Sequence, residues 1–332
     1  MKRIGILTSG GDAPGMNAAI RAATRCALYN GMSVVGVNRG YQGLIEGDMF
    51  DMTSRSVGDI IQRAGTMLRS ARSDEFMTDA GRRKALDQMS RHGIEGLVVI
   101  GGDGTFRGAR ALVDMGTPVV GIPATIDNDI SLTDYTLGFD TAVNTAVDAI
   151  TKIRDTASSH GRSNVIEVMG RDTGHLALAA GLAGGAEYIL IPEVPYDLDA
   201  ICEGVKAGYR RGKTHSIIVV AEGVGGYHSP DEPHHESIGF KIGEAVQERT
   251  GLETRVTVLG YIQRGGTPTA RDRLLATMFG CKAVELLKDG QAAKVVGVVG
   301  DEIRVFDVDE VTATRKKVDL SLYNVAVMLS KV

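Results

Sequence analysis

Short apolar runs alternate with segments of helical spacing along most of this chain. Residues 97–100 and 118–122 are largely apolar runs with β-branched side chains, as is typical of parallel strands covered on both faces. Residues 105–115, which lie between them, have apolar side chains at helical spacing. The stretch therefore predicts a strand, a crossover helix and a second strand, with both loops opening at the same edge of a sheet.

The same alternation continues through the rest of the sequence. Further strands are predicted at residues 3–8, 32–37, 165–169, 188–191, 216–221, 256–261 and 294–299, and further helices at 17–29, 56–65, 78–92, 141–156, 174–181, 198–211 and 271–287. This order predicts an α/β protein of two doubly wound, Rossmann-like α/β domains with mainly parallel sheets. Because the alternation restarts near residue 138 and we expect a crossing back after residue 261, the predicted domains are 1–138 plus about 263–305, and 139–262 plus about 306–332.

Two glycine-rich loops follow predicted strands. The loop Gly101-Gly102-Asp103-Gly104 offers bare backbone N–H groups next to a helix N-terminus, a combination that attracts phosphate. The turn at residues 9–15 has the same arrangement. Either turn by itself is also what a tight turn with positive φ requires. Two such turns at one sheet edge favour a phosphate site.

Acidic residues lie in the next loop of that edge, at residues 123–129. This loop carries the hydroxyl of Thr125 and the carboxylates of Asp127 and Asp129. Acids beside a phosphate-binding backbone, with no fixed cation, imply Mg²⁺ and phosphoryl transfer. We interpret Asp127 as the acceptor of the substrate's hydroxyl proton and Asp103 as acting through Mg²⁺, with Asp129 as a weaker second ligand. Simple turn chemistry is the alternative for Asp-Asn-Asp in a loop.

The composition restricts the class of protein. The chain has 332 residues, enough for two domains with substantial cores, and its 43% apolar and 23% charged content suits a soluble α/β enzyme. A formal net charge of -4 argues against a general nucleic-acid binder. Cys26, Cys202 and Cys281 lie far apart without CxxC spacing, so neither a disulfide framework nor a zinc site is indicated. No apolar run approaches the roughly 18 residues of a membrane span and no signal-peptide core is present, so we expect a cytoplasmic protein with no membrane partner.

Other nucleotide or metal motifs are disfavoured. A dinucleotide-binding fold would have GxGxxG after its first strand and an acid after its second, and neither is present. Residues 207–214 suggest a Walker A loop, but its glycines are one residue too close and it leads from a helix into a strand. The histidines and acids of residues 223–236 have no helix or hairpin to fix them, so we expect a surface loop there rather than a metal site.

Five motifs together carry a resemblance. They are Gly10-Gly11-Asp12-Ala13-Pro14-Gly15-Met16-Asn17, Gly101-Gly102-Asp103-Gly104, Thr125-Ile126-Asp127-Asn128-Asp129, Met169-Gly170-Arg171 and Ile262-Gln263-Arg264-Gly265-Gly266. Through them the sequence resembles the bacterial ATP-dependent 6-phosphofructokinases, from residue 3 to about residue 290. The resemblance implies the phosphofructokinase fold and the Mg²⁺- and ATP-dependent phosphorylation of fructose 6-phosphate to fructose 1,6-bisphosphate, the committed step of glycolysis. It also implies a homotetramer with active sites shared between subunits, and allosteric control by ADP or phosphoenolpyruvate.

The resemblance implies roles for individual residues. Thr125, Asp127 and Arg171 would serve the transferred phosphoryl group, with Arg171 stabilising the transition state. ATP would contact Gly11, Arg72, Ser73, Gly102, Asp103, Gly104, Thr105 and Gly108. The sugar phosphate would contact Thr125, Ile126, Asp127, Met169, Gly170, Arg171, Glu222, Tyr261, Ile262, Gln263 and Arg264, with Arg162 and Arg255 from a neighbouring subunit. The effector would contact Arg21, Arg25, Arg55, Asp59, Arg154, Gly185, Glu187, Arg211 and Lys213.

This sequence departs from the family at some of these positions. Tyr261 stands where the bacterial family usually has a histidine on the sugar phosphate, so we expect somewhat weaker binding of that substrate. Ser54 replaces the effector-site arginine, and Arg55 follows it. Gly104 and Ala124 leave room for a nucleoside where pyrophosphate-dependent relatives have an acid and a lysine, so ATP is favoured. A pyrophosphate-dependent sugar kinase, another kinase with the GGDG motif and a catalytically silent nucleotide sensor stay open as alternatives.

Overall fold

A computed structural model of the protein describes residues 1–226 and 237–330. Its strands, in chain order, are β1 (Arg3–Thr8), β2 (Ser33–Val37), β3 (Met49–Met52), β4 (Gly96–Gly101), β5 (Val119–Pro123), β6 (Ser163–Val168), β7 (Tyr188–Leu190), β8 (Ser216–Ala221), β9 (Thr254–Val258), β10 (Lys294–Val299) and β11 (Glu302–Asp307). Its α-helices are α1 (Met16–Tyr29), α2 (Gly40–Glu46), α3 (Asp79–Arg91), α4 (Asp103–Asp114), α5 (Phe139–His160), α6 (His175–Ala183), α7 (Leu198–Arg210), α8 (Ile238–Thr250), α9 (Ala270–Lys288), α10 (Val308–Ala313) and α11 (Leu320–Ser330). Short 3-10 turns occur at Glu75–Met77 and Gly260–Arg264.

These elements form two compact units, each made of two stretches of chain. Unit 1 consists of Met1–Thr141 and Arg264–Lys316, and unit 2 consists of Ala142–Gln263 and Lys317–Val332. Each unit has a hydrophobic core of its own, with aliphatic residues of the strands at its centre.

Unit 1 contains a sheet in which the described strands follow the order β11-β10-β5-β4-β1-β2-β3. The inner strands are parallel, and the edge strands β3 and β11 run antiparallel to their neighbours. Every residue of β4 is buried. The apolar runs of the inner strands are therefore those of a parallel sheet covered on both faces.

The register of the inner strands decides which loops meet. Thr8 at the end of β1 pairs with Ile100 of β4, and Gly101 pairs with Pro123 at the end of β5. Because the carboxyl ends of parallel strands lie at one edge of a sheet, the loops that follow β1, β4 and β5 open side by side. The predicted strand–helix–strand unit is confirmed, with α4 as its crossover helix.

A buried acid fixes the first turn of α5 within unit 1. The carboxylate of Asp272, in the first turn of α9, accepts hydrogen bonds from Gly138 N at 2.9 Å, from Thr141 N at 2.9 Å and from Thr141 Oγ1 at 2.5 Å. Burial raises the pKa of Asp272. The three donors offset part of the cost of burying this carboxylate. The same hydrogen bonds hold the start of α5 against α9.

Unit 2 contains a parallel sheet with the order β7-β8-β6-β9. Every residue of the central strands β6 and β8 is buried. The helix α7 begins at a polar cap, where Asp197 accepts from Asp199 N and Ala200 N, each at 3.0 Å. The buried Glu167 of β6 accepts from Gly239 N at 2.7 Å at the start of α8, where a negative charge is stabilising.

The structure differs from the sequence predictions in several places. Residues 56–65 form turns instead of a helix, because Asp59 (φ 51°) and Gly65 (φ 69°) adopt left-handed conformations. Six of the described strands and α-helices lie where the sequence predicts no element: α2, β3, α8, β11, α10 and α11. The chain passes to unit 2 at Lys317 instead of near residue 306, because β11 pairs with β10 and α10 packs on α4 in unit 1. None of the described helices is long and apolar enough to cross a bilayer.

Replacing Asp272 with alanine is expected to destabilise unit 1. The change leaves Gly138 N, Thr141 N and Thr141 Oγ1 without their acceptor in a buried position, which costs about 2–4 kcal/mol in the free energy of unfolding. Urea denaturation followed by circular dichroism measures the loss. Asp289→Ala, at the exposed C-terminal end of the same helix, is the control and should change stability by less than about 0.5 kcal/mol. Equal stabilities of the two variants would contradict the anchoring role.

Candidate active site

The loop after β1 is held in place by its own backbone and by residues 66–70. Ser9 N donates to Ile100 O at 3.0 Å, and Thr8 Oγ1 donates to Arg69 O at 2.8 Å. Ser70 Oγ donates to Gly10 O. No side chain caps the start of α1. Met16 N donates to Ala13 O at 3.2 Å, so the exposed turn at Gly10 and Gly11 and the remaining N–H groups of the first helical turn are what this loop offers to an anion.

The loop after β4 abuts the first loop at Gly101. A Cβ atom at this position would lie 2.3 Å from Thr105 Oγ1 and 2.4 Å from Ser9 O, so only glycine fits there. Thr105 Oγ1 donates to Ser9 O at 3.1 Å, which joins the two loops directly. Gly102 caps α4 without a side chain, and a Cβ at Gly104 would meet nothing within 4 Å. The first turn of α4 thus presents backbone N–H groups to open space, as a phosphate site requires.

The loop after β5 lies against the second glycine loop. A Cβ at Gly102 would lie 3.7 Å from Thr125 Cβ. Asp127 is 2% exposed, and its backbone N–H donates to Thr125 Oγ1 at 3.2 Å. Asn128 adopts a left-handed conformation (φ 52°) and accepts from Thr136 N at 3.0 Å. This tightly turned loop brings the predicted base and the predicted hydroxyl to the edge where the two glycine turns lie.

Tyr41 packs against the second glycine loop and supports it, a role that no sequence motif indicates. Its hydroxyl donates to Thr105 O at 2.6 Å, and a Cβ at Gly108 would lie 2.6 Å from its ring. Burial raises the pKa of Tyr41, so this hydroxyl remains protonated and remains a donor. Its ring stacks on Phe76 with centroids 4.1 Å apart. Tyr41 therefore explains why a glycine is needed at position 108.

The remaining unit 1 residues predicted to bind ATP or the sugar phosphate lie around these loops. Arg72 is exposed, and Ser73 Oγ donates to Gln42 Oε1 at 2.6 Å. The guanidinium of Arg264 lies on Gly11, where a Cβ would be 2.7 Å from Nη1, and it donates to Asp12 O at 3.1 Å. Arg264, predicted to contact the sugar phosphate, thus lies directly on the first glycine turn.

Mg²⁺ fits the donors present in unit 1. The described residues contain no cluster of three or more histidine, cysteine, aspartate or glutamate side chains that would hold a metal by themselves. Asp103 lies in the first turn of α4 and pairs with Arg107 at 3.0 Å. Asp129 is 6% exposed. Mg²⁺ usually binds through one or two carboxylates, waters and substrate phosphates, so a single carboxylate at a phosphate site is an adequate protein contribution.

In unit 2, a carboxylate fixes the turn that follows β6. Glu222 Oε1 accepts from Gly170 N at 3.0 Å and from Arg171 N at 2.8 Å. Both residues have positive φ, 140° for Gly170 and 52° for Arg171, and a Cβ at Gly223 would lie 2.0 Å from Arg171 O. This backbone is strained, and Glu222 stabilises it. Of the residues predicted to bind the sugar phosphate, Met169, Gly170, Arg171 and Glu222 are thus brought together.

The segment after β9 divides into a buried and an exposed part. Gln263 is fully buried, accepts from Met169 N at 3.4 Å and donates to Gly260 O at 3.0 Å. Tyr261 is 66% exposed and Ile262 is 58% exposed. Gln263 therefore braces the turn after β6, whereas Tyr261 and Ile262 present their side chains to solvent.

Arg162 and Arg255 converge on Glu253. Arg162 Nε donates to Glu253 Oε2 at 2.9 Å, and Arg255 Nη2 donates to Glu253 Oε1 at 2.5 Å. The Arg162 guanidinium lowers the pKa of Glu253. The parallel pairing of β6 with β9 brings the two arginines close, since Arg255 lies opposite Asn164. Sequence reasoning missed Glu253, although an acid two residues before a candidate arginine is a signal that could have found it.

The predicted effector residues of unit 2 gather around Glu187. Arg154 and Lys213 each reach Glu187 Oε1 at 4.0 Å, and Arg154 Nη2 also donates to Gly184 O and Gly185 O at 2.7 Å. Glu187 and Arg211 border a cavity of about 420 Å³ between β7, α7 and α11. In unit 1, the predicted effector residues Arg25, Arg55 and Asp59 are exposed and Arg21 is half-buried. Of the loop at 223–236, residues 227–236 with their histidines lie outside the described residues.

Comparisons with known proteins agree on one family. The family model described as Phosphofructokinase matches residues 3–287. Relatives named ATP-dependent 6-phosphofructokinase, from Halothermothrix orenii and Halalkalibacterium halodurans, are 57% and 56% identical over 99% of this chain and 100% of their own length. The solved phosphofructokinase of Pichia pastoris has a TM-score of 0.86 at 32% identity over 99% of this chain, which spans 37% of that longer one. A pyrophosphate-dependent phosphofructokinase from Marinobacter aquaeolei shares the fold, with a TM-score of 0.85 at 23% identity over 97% of this chain and 86% of its own.

The motifs and the comparisons lead to the same conclusion. The family model covers most of the chain, and relatives matched along their whole length share more than half of its residues. The phosphofructokinase fold expected from the sequence is confirmed. This chain belongs to the phosphofructokinase family.

Proposed function

We propose that this chain is an ATP-dependent 6-phosphofructokinase, which transfers the γ-phosphoryl group of ATP to fructose 6-phosphate. The observation that carries the proposal is the position of the buried Asp127, on a loop packed beside the phosphate-compatible glycine loop at Gly101. The full-length relatives that share more than half of the sequence are named for this activity, which supports it. The product, fructose 1,6-bisphosphate, would place the enzyme in glycolysis.

The backbone of unit 1 supplies the site for the donor. The N–H groups at the starts of α1 and α4 would bind the phosphates of ATP, and the open space at Gly104 leaves room for the α-phosphate and the nucleoside. An acid at Gly104 would repel the α-phosphate. Arg72 and Ser73 would lie along the nucleoside. Ala124, 1% exposed, adds little volume there, so ATP is favoured over pyrophosphate.

Asp103 would hold Mg²⁺ together with the phosphates of ATP, with Asp129 as a weaker second ligand. Bound there, Mg²⁺ neutralises charge on the β- and γ-phosphate oxygens. The pairing of Asp103 with Arg107 keeps its carboxylate in the first turn of α4, next to the N–H groups that would bind the phosphates. Protein and metal would thus act on the same phosphate oxygens.

Asp127 would take the proton of the sugar hydroxyl as that oxygen attacks the γ-phosphoryl group. Thr125 supports this role, since its hydroxyl accepts from Asp127 N and fixes the backbone at the base. Arg171 would stabilise the charge of the transferred group, and its strained conformation is held by Glu222. Positioning and charge stabilisation of this kind account for most phosphoryl-transfer catalysis.

The phosphate of the sugar would be bound by arginines. Arg162 and Arg255 present two guanidinium groups around one carboxylate, a geometry suited to paired hydrogen bonds with phosphate oxygens. The resemblance assigns them to the active site of a neighbouring subunit, so we include a homotetramer in the proposal. Arg264 and the exposed Tyr261 would complete the sugar phosphate site.

Effector control is the last part of the proposal. Arg154 and Lys213 lie beside Glu187, and Arg211 borders the same cavity as Glu187. Such a cationic group suits the phosphates of ADP or the phosphate and carboxylate of phosphoenolpyruvate. Gly185, next to Arg154, has a left-handed conformation with φ 67°. Arg21, Arg25, Arg55 and Asp59 would contribute from another subunit.

Asp127→Ser tests the base. We expect kcat with fructose 6-phosphate and Mg-ATP to fall by at least about 100-fold, the lower end for a general base, while the Kd of ATP changes little. Asp114→Ser, at the exposed end of α4, is the control and should keep its activity. The parent should turn over with ATP and not with pyrophosphate. A variant with normal kcat would remove Asp127 from the mechanism. Turnover with pyrophosphate but not with ATP would show that pyrophosphate is the phosphoryl donor.

Arg162→Ala tests the sugar phosphate site. Loss of a charge-assisted hydrogen bond to phosphate should raise the KM for fructose 6-phosphate by about 10–100-fold, with the KM for ATP unchanged. Arg304→Ala, which removes an exposed ion pair with Glu302, is the matched control. Steady-state kinetics with each substrate varied in turn separate the two constants. An equal rise in both would show general damage to the fold.

Arg154→Ala tests the effector site. We expect the response to ADP and phosphoenolpyruvate to be lost while turnover without effector is retained, because the cationic group around Glu187 loses a member. The measurement is the shift of the fructose 6-phosphate saturation curve on adding each effector. Arg304→Ala should respond as the parent does. An unchanged response of the Arg154 variant would exclude this group as the effector site.

A further inference from the structure

Two of the three cysteines, distant in sequence, meet across a helix pair of unit 1. Cys26 lies on α1 and Cys281 on α9, and the Cys26 sulfur is 3.7 Å from the backbone oxygen of Cys281 across a separation of 255 residues. The two thiols are within hydrogen-bonding reach of each other. Both side chains are half-buried thiols, whereas Cys202 is buried in unit 2.

The helices that carry these cysteines are parallel and unusually close. A Cβ at Gly15, just before α1, would lie 3.7 Å from Asp272 Cβ in the first turn of α9, and at the other end Lys288 Nζ donates to Asn30 Oδ1 at 2.8 Å. Between these ends, a Cβ at Gly280 would be 2.8 Å from Ala19 O.

This close approach matters for the two sulfurs. Helices that touch backbone to backbone lie nearer than the usual 8–10 Å between axes. Such an approach favours the short Cα separation, about 4.4–6.8 Å, that a disulfide needs.

We propose that Cys26 and Cys281 form a reversible intrachain disulfide when the protein meets a low-molecular-weight disulfide, and that this bond stabilises unit 1. One protein thiolate attacks the oxidant RSSR and forms a mixed disulfide, releasing RS⁻. The second protein thiolate then attacks the protein sulfur of that mixed disulfide, releasing a second RS⁻. The two thiol protons pass to the two RS⁻ groups, so two protein thiols and RSSR give one protein disulfide and two RSH.

The two cysteines are expected to react slowly with a disulfide. Burial, followed by the adjacent Cys281, raises the pKa of Cys26 to about 11, so this thiol is protonated at neutral pH and reacts slowly. Its proximity to a second thiol offsets this, because the second exchange step is intramolecular. The linked form is consequently expected to appear slowly, on sustained exposure to the oxidant.

The link joins the two stretches of chain that make up unit 1. Cys26 belongs to the first stretch and Cys281 to the second, and the whole of the first stretch of unit 2 lies in the loop that the bond closes. A cross-link that closes so long a loop restricts the unfolded chain strongly. The bond would therefore raise the thermal stability of unit 1.

The test treats the full-length chain with oxidised glutathione, followed by digestion and mass spectrometry without reductant. We expect one linked pair of peptides, containing Cys26 and Cys281 and lighter by two hydrogen atoms than their sum, which separates on adding dithiothreitol. Cys26→Ser and Cys281→Ser should each abolish it, and Cys202→Ser should retain it. The Tm of the oxidised parent and of Cys202→Ser should rise by about 5 °C, with no rise in the other variants.

Several results would overturn the proposal. They are glutathione on both cysteines without a link, a link between two chains, a link that survives Cys281→Ser, and an unchanged Tm in a fully linked protein. Thermal scans of the reduced variants establish that they fold. If a serine variant fails to fold, the peptide map of the parent chain alone decides, because it identifies both linked residues directly.

Discussion

The candidate active site of unit 1 depends on the contact between the loops after β1 and β4. This contact is possible because residue 101 is glycine. The parallel register sets the end of β1 beside β4 and the end of β4 beside β5, so three loops must share one edge. At Gly101 the two backbones are so close that no side chain fits between them. Thr105 then joins the loops by a hydrogen bond to Ser9 O. Both helix N-termini that could bind phosphate are consequently oriented by the same contact.

The sequence predicted this edge well because its signals are local. The strands that carry it are apolar runs and the glycine turns follow them directly. The rule that parallel strands end together then places the loop of Thr125 and Asp127 beside Gly102 without further information. The resemblance added which of these residues are expected to act on the phosphoryl group. The error at residues 56–65 arose where left-handed residues, invisible to an apolar pattern, break the helix.

The contacts that sequence reasoning missed join residues across long separations. Tyr41 contacts Thr105 across 64 residues, and Cys26 contacts Cys281 across 255. Neither contact has a signal in composition or spacing. The first arises from the packing of α2 against α4, and the second from the packing of α1 along α9. Glu253 differs, since it is two residues from Arg255, but its bridging role depends on the pairing of β6 with β9. Long-range contacts of this kind decide how a site is supported, whereas local motifs decide what it contains.

The distribution of acids favours the proposed enzyme over a protein that only binds a nucleotide. In unit 2, Glu222 and Glu253 are engaged with backbone N–H groups and guanidinium groups, so they position neighbouring residues. Asp127 is proposed to act differently: it is a nearly inaccessible acid on a loop beside backbone suited to anionic phosphates. A binding protein would lose affinity through such a charge, since like charges repel more strongly away from water. A phosphotransferase needs it, because the attacking hydroxyl must give up its proton where the phosphates are bound.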